Sequence, residues 1–458
     1  MALVDTKRST PWSAASDLLI RARQMLADQR DGRAVQILAG NTFLIRAGSA
    51  LLALALQVLL ARWMGSFEFG IYVYAWTWVL IIGAISDVGL SSAARRFIPE
   101  YTELKDFRRL RGFLAGSRWL GVAVATLVAI ASMSVVTLLA PRLDDFVLVP
   151  LYLACLAVPI YGLVQVQGGI AQSYDWPNLA LMPFYIWRQL LVTALVGAAW
   201  LFGLPTNAMT AMAIAVGSIW AVTLVQFALM QRRLSCKVPA GPKIYEARIW
   251  IGTSLPIFVV EAFYLALTYV DIIVLEHLRS PEDVAVYYAA ARLLAIVAFV
   301  YFAIAGATTH RFSEYYVAGD RERLAAFFKD TVRWTFWPSL IACAGILVLG
   351  KPLLALFGPE FETGYGVMFI LAIGMMARAA VGPAERLLNM VVERKECASV
   401  YGIAFLINLA LCVILVPQWG IVGAAVAVSS AIIAESIMFC RLARRRLGLE
   451  ILWPIGRR

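Results

Sequence analysis

The sequence predicts an all-α polytopic membrane protein, with twelve transmembrane helices in two parallel six-helix lobes around a central cavity. Three observations carry that expectation. Apolar stretches long enough to cross a bilayer follow one another from about residue 40 to about residue 440. Lys and Arg gather in alternate connecting segments. The chain also resembles itself at an offset of 215 residues.

Hydrophobic residues make up 61% of the chain and charged residues only 15%, whereas soluble domains carry about 25% charged residues. A spanning helix needs about 20 mostly apolar residues, and in hydrocarbon only helices and closed barrels satisfy their own backbone. These runs are continuously apolar, without period-two alternation, so they read as helices. In the first half the expected spans are 40–62, 70–94, 112–140, 147–172, 181–202 and 207–231. In the second half they are 250–276, 284–309, 332–350, 364–391, 399–416 and 419–440. The expected division is a tail at 1–39, a lobe at 40–231, a linker at 232–249, a second lobe at 250–440 and a tail at 441–458. No cleavable signal peptide is expected, because the charged start (Asp5, Lys7, Arg8) precedes no small-residue cleavage site and span one is full length. Residues 12–30 place Trp12, Ala15, Leu19, Ala22 and Leu26 on one helical face, with Arg21, Arg23 and Asp28 off it. An interfacial helix and a loosely ordered tail both fit that stripe.

The net charge of +11 is explained by topology. Of 40 Lys and Arg, 31 lie in the tails and alternate connections, while the opposite loops hold Arg62, Arg142, Arg279 and Lys351. This is the positive-inside asymmetry, and it predicts cytoplasmic termini and no nucleic-acid partner. The six cysteines (Cys155, Cys236, Cys343, Cys397, Cys412 and Cys440) show no ligand spacing, and none falls in a loop opposite the termini. No disulfide, metal or cofactor is expected.

The repeat pairs Arg96-Phe97 with Arg311-Phe312, Tyr101 with Tyr316, Arg108 with Arg323, Phe113 with Phe328 and Arg118-Trp119 with Arg333-Trp334. Six helices per half leave both halves pointing the same way, as in parallel repeats related by an axis along the membrane normal. Two such bundles facing a central space are the usual architecture of alternating-access transporters, with the site near mid-depth where the halves meet. Segments 95–118 and 310–333 read as short amphipathic helices on the cytoplasmic surface. Pro239–Pro242 joins the halves. Proline or glycine at Pro159 and Gly162 in span four, Pro183 opening span five, Pro256 in span seven and Gly382-Pro383 in span ten marks places where helices are expected to bend or break.

Charges within the spans are the candidate functional residues, since an intramembrane charge usually faces a bundle interior or a water-filled space. They are Arg46, Asp87, Arg188, Glu261, Asp271, Arg292, Arg378, Glu385, Arg386 and Glu435. For Arg188, Arg292 and Arg386, snorkelling to a headgroup is the competing explanation; Glu435 also reads as a simple helix-pairing group. Asp87 is short and about two turns inside span two. Planar guanidinium groups bind phosphate or carboxylate oxygens bidentately, so Arg46, Arg188, Arg292 and Arg378 are assigned to an anionic solute. Asp87, Glu261, Asp271 and Glu385 are assigned to ion coupling. Glu261 and Asp271 stand ten positions apart on one helix, about 15 Å along its axis, and are expected to border one cavity at two depths.

The residues also carry a family likeness. Leu59-Leu60-Ala61-Arg62-Trp63-Met64-Gly65, Phe67-Glu68-Phe69-Gly70-Ile71-Tyr72, Asp87-Val88-Gly89-Leu90 and Ala94-Arg95-Arg96-Phe97-Ile98-Pro99-Glu100 follow in order, and Gly420-Ile421-Val422-Gly423-Ala424-Ala425 comes late. This series resembles the Wzx-type polysaccharide flippases of the multidrug/oligosaccharidyl-lipid/polysaccharide exporter superfamily. The resemblance implies a V-shaped pair of six-helix lobes in the bacterial cytoplasmic membrane. It implies ion-coupled transfer of an undecaprenyl-diphosphate-linked oligosaccharide to the outer leaflet. The lipid tail would stay among membrane lipids while the diphosphate meets cationic side chains, and a polysaccharide polymerase and glycosyltransferases would work alongside. The long basic N-terminal tail departs from the family pattern.

A multidrug/cation antiporter of the same superfamily is the alternative, disfavoured by the mixture of Arg with carboxylates. A major-facilitator transporter would need a Gly, Asp-Arg-x-Gly-Arg loop, which 95–118 lacks. An enzyme is not expected: His277 and His310 sit at span ends, no large outer loop exists, and Asp144-Asp145 lies on the side opposite a cytoplasmic catalytic domain.

Overall fold

The computed structural model describes residues 11–391 and 394–448. The first ten residues, the last ten and the side chains of the 12–30 stripe lie outside the described residues. The regular structure of the described residues is helical, as expected for backbone that must satisfy its own polar groups in lipid.

The helix Pro11–Ser86 is interrupted only at Gly65, whose φ of 79° and ψ of 168° lie outside the helical region. Most L-residues avoid that conformation, and glycine adopts it freely. Leu44–Glu103 is apolar enough to cross a membrane but is 60 residues long, about 90 Å as helix and three times a bilayer core of about 30 Å. It is therefore two spans folded at Gly65, here α1 (11–64) and α2 (66–86), and α3 (Leu90–Glu103) extends the second. The first lobe continues with α4 (Phe107–Leu139), α5 (Asp145–Ser173), α6 (Pro177–Leu201) and α7 (Ala208–Lys237). The second lobe has α8 (Ala247–Leu278), α9 (Pro281–Leu294), α10 (Ala298–Val317) and α11 (Arg321–Val348). It closes with α12 (Gly350–Ala355), α13 (Tyr365–Val381), α14 (Ala384–Val391), α15 (Arg394–Trp419) and α16 (Ile421–Leu447). With Leu44–Glu103 counted as two, the twelve expected spans are present. Both described ends of the chain lie on one face, called the terminal face below.

Several local expectations are corrected. Span two does not run through Asp87; the helix stops at Ser86 and resumes at Leu90, with Val88 and Gly89 at positive φ. Segments 95–118 and 310–333 are not separate surface helices. They are the ends of α3 and α10 and the starts of α4 and α11, joined by tight turns. In each turn an aspartate caps the next helix: Asp106 accepts from the Arg109 backbone N–H at 3.1 Å, and Asp320 from that of Arg323 at 3.0 Å. These turns correspond at an offset of 214. The buried pairs Phe97/Phe312 and Phe113/Phe328 correspond at 215, so the repeat slips by one residue. Pro159 and Gly162 sit inside an uninterrupted α5, and Pro256 inside an uninterrupted α8. Span five opens at Pro177, and Pro183 instead begins a wider π turn over Pro183–Trp187. The break at Gly382-Pro383 is present, between α13 and α14. The linker is strapped to α4: Ile244 N–H donates to the Arg108 carbonyl at 3.1 Å, and Arg111 donates to the carbonyls of Pro242 and Pro239 at 3.0 and 2.9 Å.

Packing is densest within each lobe, and the lobes meet where α1, α2 and α3 face α8 and α9. Away from the terminal face the contact is backbone on backbone. A Cβ on Gly70 would fall 1.8 Å from the carbonyl oxygen of Pro281. Beside it, Phe69 packs edge-on or tilted among Tyr288, Phe357 and Phe361, with ring centroids 6.2 to 6.5 Å apart. Arg62 donates to the Leu356 and Ala355 carbonyls, both at 2.7 Å, at the C-terminal end of α12. There the helix dipole favours a cation.

Gly70→Val therefore forces the lobes apart at this end. The expected result is a several-fold rise in labelling of Gln57→Cys by a membrane-impermeant thiol reagent added from the side opposite the terminal face. Unchanged labelling would remove the seal from the account.

Candidate functional site

Two groups of polar side chains lie within the apolar body. The first is a layer near mid-depth between the lobes. Arg188 begins the second part of α6, about 20 Å from Leu201 along the axis, and Arg292 sits in α9 about 17 Å from Pro281. Both distances are roughly half a bilayer core or a little more. The Arg188 guanidinium is buried and packs over Trp76 at 4.6 Å and Phe184 at 4.8 Å. It lies within electrostatic reach of Tyr72, Tyr161, Tyr185 and Tyr288, and its one hydrogen bond goes to the Phe184 carbonyl at 3.3 Å. The Arg292 guanidinium approaches the same Tyr288 ring at 5.8 Å and lies near Tyr269, yet remains exposed. Tyr288 also accepts a hydrogen bond from Gln57 of the first lobe at 2.9 Å. Tyr288 thus meets the Arg292 guanidinium of its own lobe and Gln57 of the first, within electrostatic reach of Arg188. Among the described residues neither Arg188 nor Arg292 pairs with a carboxylate. Ring faces stabilise a desolvated cation by about 0.5–2 kcal/mol each without neutralising it, so both charges remain available to an anion.

The second group lines a cavity of about 460 Å³ in the second lobe, nearer the terminal face. Glu261 enters from α8, Tyr301 from α10, Arg378 from α13, Glu385 and Arg386 from α14 and Tyr401 from α15. The Gly382-Pro383 break puts Glu385 there, because α14 leaves the direction of α13 where Gly382 takes a φ of 60°. Tyr301 Oη donates to Glu385 at 3.4 Å. Arg378 Nη2 donates to the buried Glu435 at 2.7 Å. Glu261 accepts from Ser92 Oγ of the first lobe at 3.3 Å. Ser92 in turn accepts from Arg95 at 2.6 Å, and Arg95 donates to Gln172 at 3.2 Å. One hydrogen-bonded chain therefore runs from the first lobe to the wall of the second-lobe cavity.

The assigned residues separate accordingly. The structure brings Arg188 and Arg292 together in one layer, and Glu261, Arg378 and Glu385 together in one cavity. Arg46 is exposed on α1, about 27 Å from Met64 along the helix axis, and belongs to neither group. Asp87 sits in the α2–α3 break, where it accepts from Ser91 Oγ at 2.6 Å and from the Ser91 N–H at 3.1 Å. Asp271 does not share a cavity with Glu261, contrary to the expectation. It is buried inside the second lobe and accepts from Tyr287 Oη at 2.5 Å, while its Oδ1 has no partner. Arg95 and the tyrosine ring around the mid-depth arginines escaped the sequence reading. The ring's one signal is that these phenols lie inside otherwise apolar spans.

The chain matches the polysaccharide biosynthesis protein family over residues 39–315 and the MatE family over residues 256–414. No curated protein sequence matches it. Among solved structures it is similar to an inward-facing multidrug resistance MATE family transporter of the MOP superfamily, with 14% identity, a TM-score of 0.67 and coverage of 89% of this chain and 94% of that one. It is similar to the lipid II flippase MurJ in an inward closed conformation, with 15% identity, a TM-score of 0.67 and coverage of 88% and 87%. A MOP superfamily transporter from Pyrococcus furiosus Vc1, whose binding pocket is described as reversed in polarity, aligns at 14% identity with a TM-score of 0.65 over 90% and 96%.

The Arg378–Glu435 pair is the test of how this cavity is held. Removing one partner of a buried pair costs about 3–5 kcal/mol, whereas replacing both with apolar groups is often neutral. Glu435→Ala is expected to lower the melting midpoint of the purified protein sharply, and Arg378→Met with Glu435→Leu to recover most of the loss. An equal loss in the double variant would exclude the pair as the cause.

Proposed function

We propose, from the premise that the chain belongs to the polysaccharide biosynthesis protein family, that it moves a polyprenyl-diphosphate-linked oligosaccharide across the bacterial cytoplasmic membrane. The terminal face is then cytoplasmic, and the glycan is delivered to the opposite leaflet. One observation carries the reading: Arg188 and Arg292, one from each lobe, lie near mid-depth among aromatic rings, and among the described residues neither is neutralised by a carboxylate. A diphosphate offers several oxygens to two planar guanidinium groups at once. An anion held by both lobes also ties them together, so its arrival and departure favour different lobe arrangements. The sugar occupies the polar space while the polyprenyl tail remains in lipid.

Ion coupling is assigned to the second-lobe cavity, where Glu261 and Glu385 face Arg378 and Arg386. A cation or proton taken up there alters the field on Arg378 and the hydrogen bond to Ser92, and through Ser92 the contact with the first lobe. The resemblance of residues 256–414 to the MatE family and these carboxylates support a second reading, exchange of a cationic drug. That reading gives the mid-depth arginines no role, because they would repel the solute.

Arg188→Ala and Arg292→Ala are each expected to lower surface polymer about 10- to 100-fold, the loss of a charge-assisted contact of about 1.5–3 kcal/mol. Lipid-linked units should accumulate on the cytoplasmic leaflet. Lysine at either position is expected to restore only part, since it lacks the planar fork. The measurements are polymer per cell, leaflet-specific labelling of the lipid-linked glycan and the amount of variant in the membrane. Normal polymer from both alanine variants would overturn the assignment.

A further inference from the structure

Arg118 of α4 is buried, with 7% of its surface exposed. Its Nη1 donates to Gln231 of α7 at 3.0 Å, while its Nε and Nη2 are buried without an acceptor. The Phe227 ring lies 5.2 Å from the guanidinium carbon. No carboxylate among the described residues forms a salt bridge with it. A buried charged donor left without a partner costs more than the 1–3 kcal/mol of a neutral one. The repeat makes the omission specific. Arg333, the counterpart in the second lobe, has Asp330 at 3.9 Å and is only half-buried. In the first lobe the positions corresponding to Asp330 are Ala115 or Gly116.

Arg118 lies within electrostatic reach of Tyr174, and the surroundings supply more cations and no bridging carboxylate. Tyr174 and Trp176, just past α5, stack with centroids 5.0 Å apart. Lys237 Nζ stands 5.5 and 5.3 Å from the two rings, and Arg233 stands 5.5 Å from Trp176. The Tyr174 hydroxyl is also buried without a partner. Asp175, between the rings, is exposed and bridges none of these cations. Depth identifies the environment: Arg118 is 21 residues from Leu139 along α4, about 32 Å, one hydrocarbon thickness from that helix's far end. Aromatic side chains at this level belong to the belt where headgroups begin. The cluster lies on α4, the end of α5 and α7.

We propose that this cluster binds the phosphate of an anionic phospholipid in the leaflet at the terminal face. The phosphodiester supplies the acceptors that Arg118 Nε, Arg118 Nη2 and Tyr174 Oη lack, and the exposed Gln231 side chain turns aside to admit it. Lys237 and Arg233 attract the headgroup to this leaflet electrostatically, and Trp176 covers the upper acyl chain. The lipid pins the first lobe at a fixed depth.

Native mass spectrometry of the purified full chain in neutral detergent tests this, with phosphatidylglycerol against phosphatidylcholine as the probes. One phosphatidylglycerol per chain should be retained at least tenfold more than phosphatidylcholine. Arg118→Gln, which keeps a donor for Gln231 but removes the charge, should bring retention down to the phosphatidylcholine level. Arg233→Gln with Lys237→Gln, both at exposed positions and so harmless to folding, should reduce it several-fold. Equal retention of the two lipids overturns the proposal, as does an undiminished preference in both variants. An equal rise in melting midpoint from inorganic phosphate alone overturns the lipid assignment. The measurement involves no transport and is independent of the flippase reading.

Discussion

A guanidinium held away from bulk water must be solvated by the protein, and the manner of its solvation decides what it can do. This chain gives three answers. Arg378 is met by the carboxylate of Glu435, which neutralises it and makes it a fixed part of the cavity wall. Arg188 is met by the rings of Trp76 and Phe184, which offset part of its desolvation and leave its charge intact. Arg118 is met by one amide and one ring, with two donors unsatisfied. Pairing, caging and incomplete satisfaction correspond to structural, substrate-binding and lipid-binding roles in the readings above.

Helix breaks put these groups where they are. An unbroken span two would carry Asp87 through as an isolated charge on a helix side. The break frees the first N–H groups of α3, and Asp87 takes one of them together with the Ser91 hydroxyl, so the aspartate serves as a local cap. The Val88 carbonyl freed by the same break accepts from Ser254 across the lobe boundary at 2.9 Å. The second break, at Gly382-Pro383, turns α14 so that Glu385 and Arg386 reach the cavity. By contrast, Pro159 and Pro256 lie within uninterrupted helices. Proline alone therefore did not predict where these helices break, whereas positive-φ positions mark both functional breaks.

The two lobes are held by different chemistry at different depths. Far from the terminal face the contact is steric and apolar, with Gly70 against Pro281 and a cluster of four aromatic rings. Near mid-depth it is aromatic and cationic around Tyr288. Toward the terminal face it is a polar chain through Gln172, Arg95, Ser92 and Glu261. Hydrogen bonds of this last kind exchange readily with water, while close backbone packing does not.

The sequence by itself determined the solvent, the helical class and the span count, because hydropathy and helix rise convert residue number directly into length across the bilayer; for Arg188 and Arg292 it left snorkelling to a headgroup open. The turns that divide 95–118 and 310–333 were not foreseen, although their capping aspartates, Asp106 and Asp320, are local. Only the tertiary structure decided which charges share a space. Helix rotation about its axis is set by packing with neighbours, so Glu261 and Asp271 on one helix parted company, one to a cavity and one to a dry hydrogen bond with Tyr287. The same reason hid Arg118: its identity with Arg333 was plain in the repeat, but full burial of one and half-burial of the other depends on the side chains that neighbouring helices bring against each.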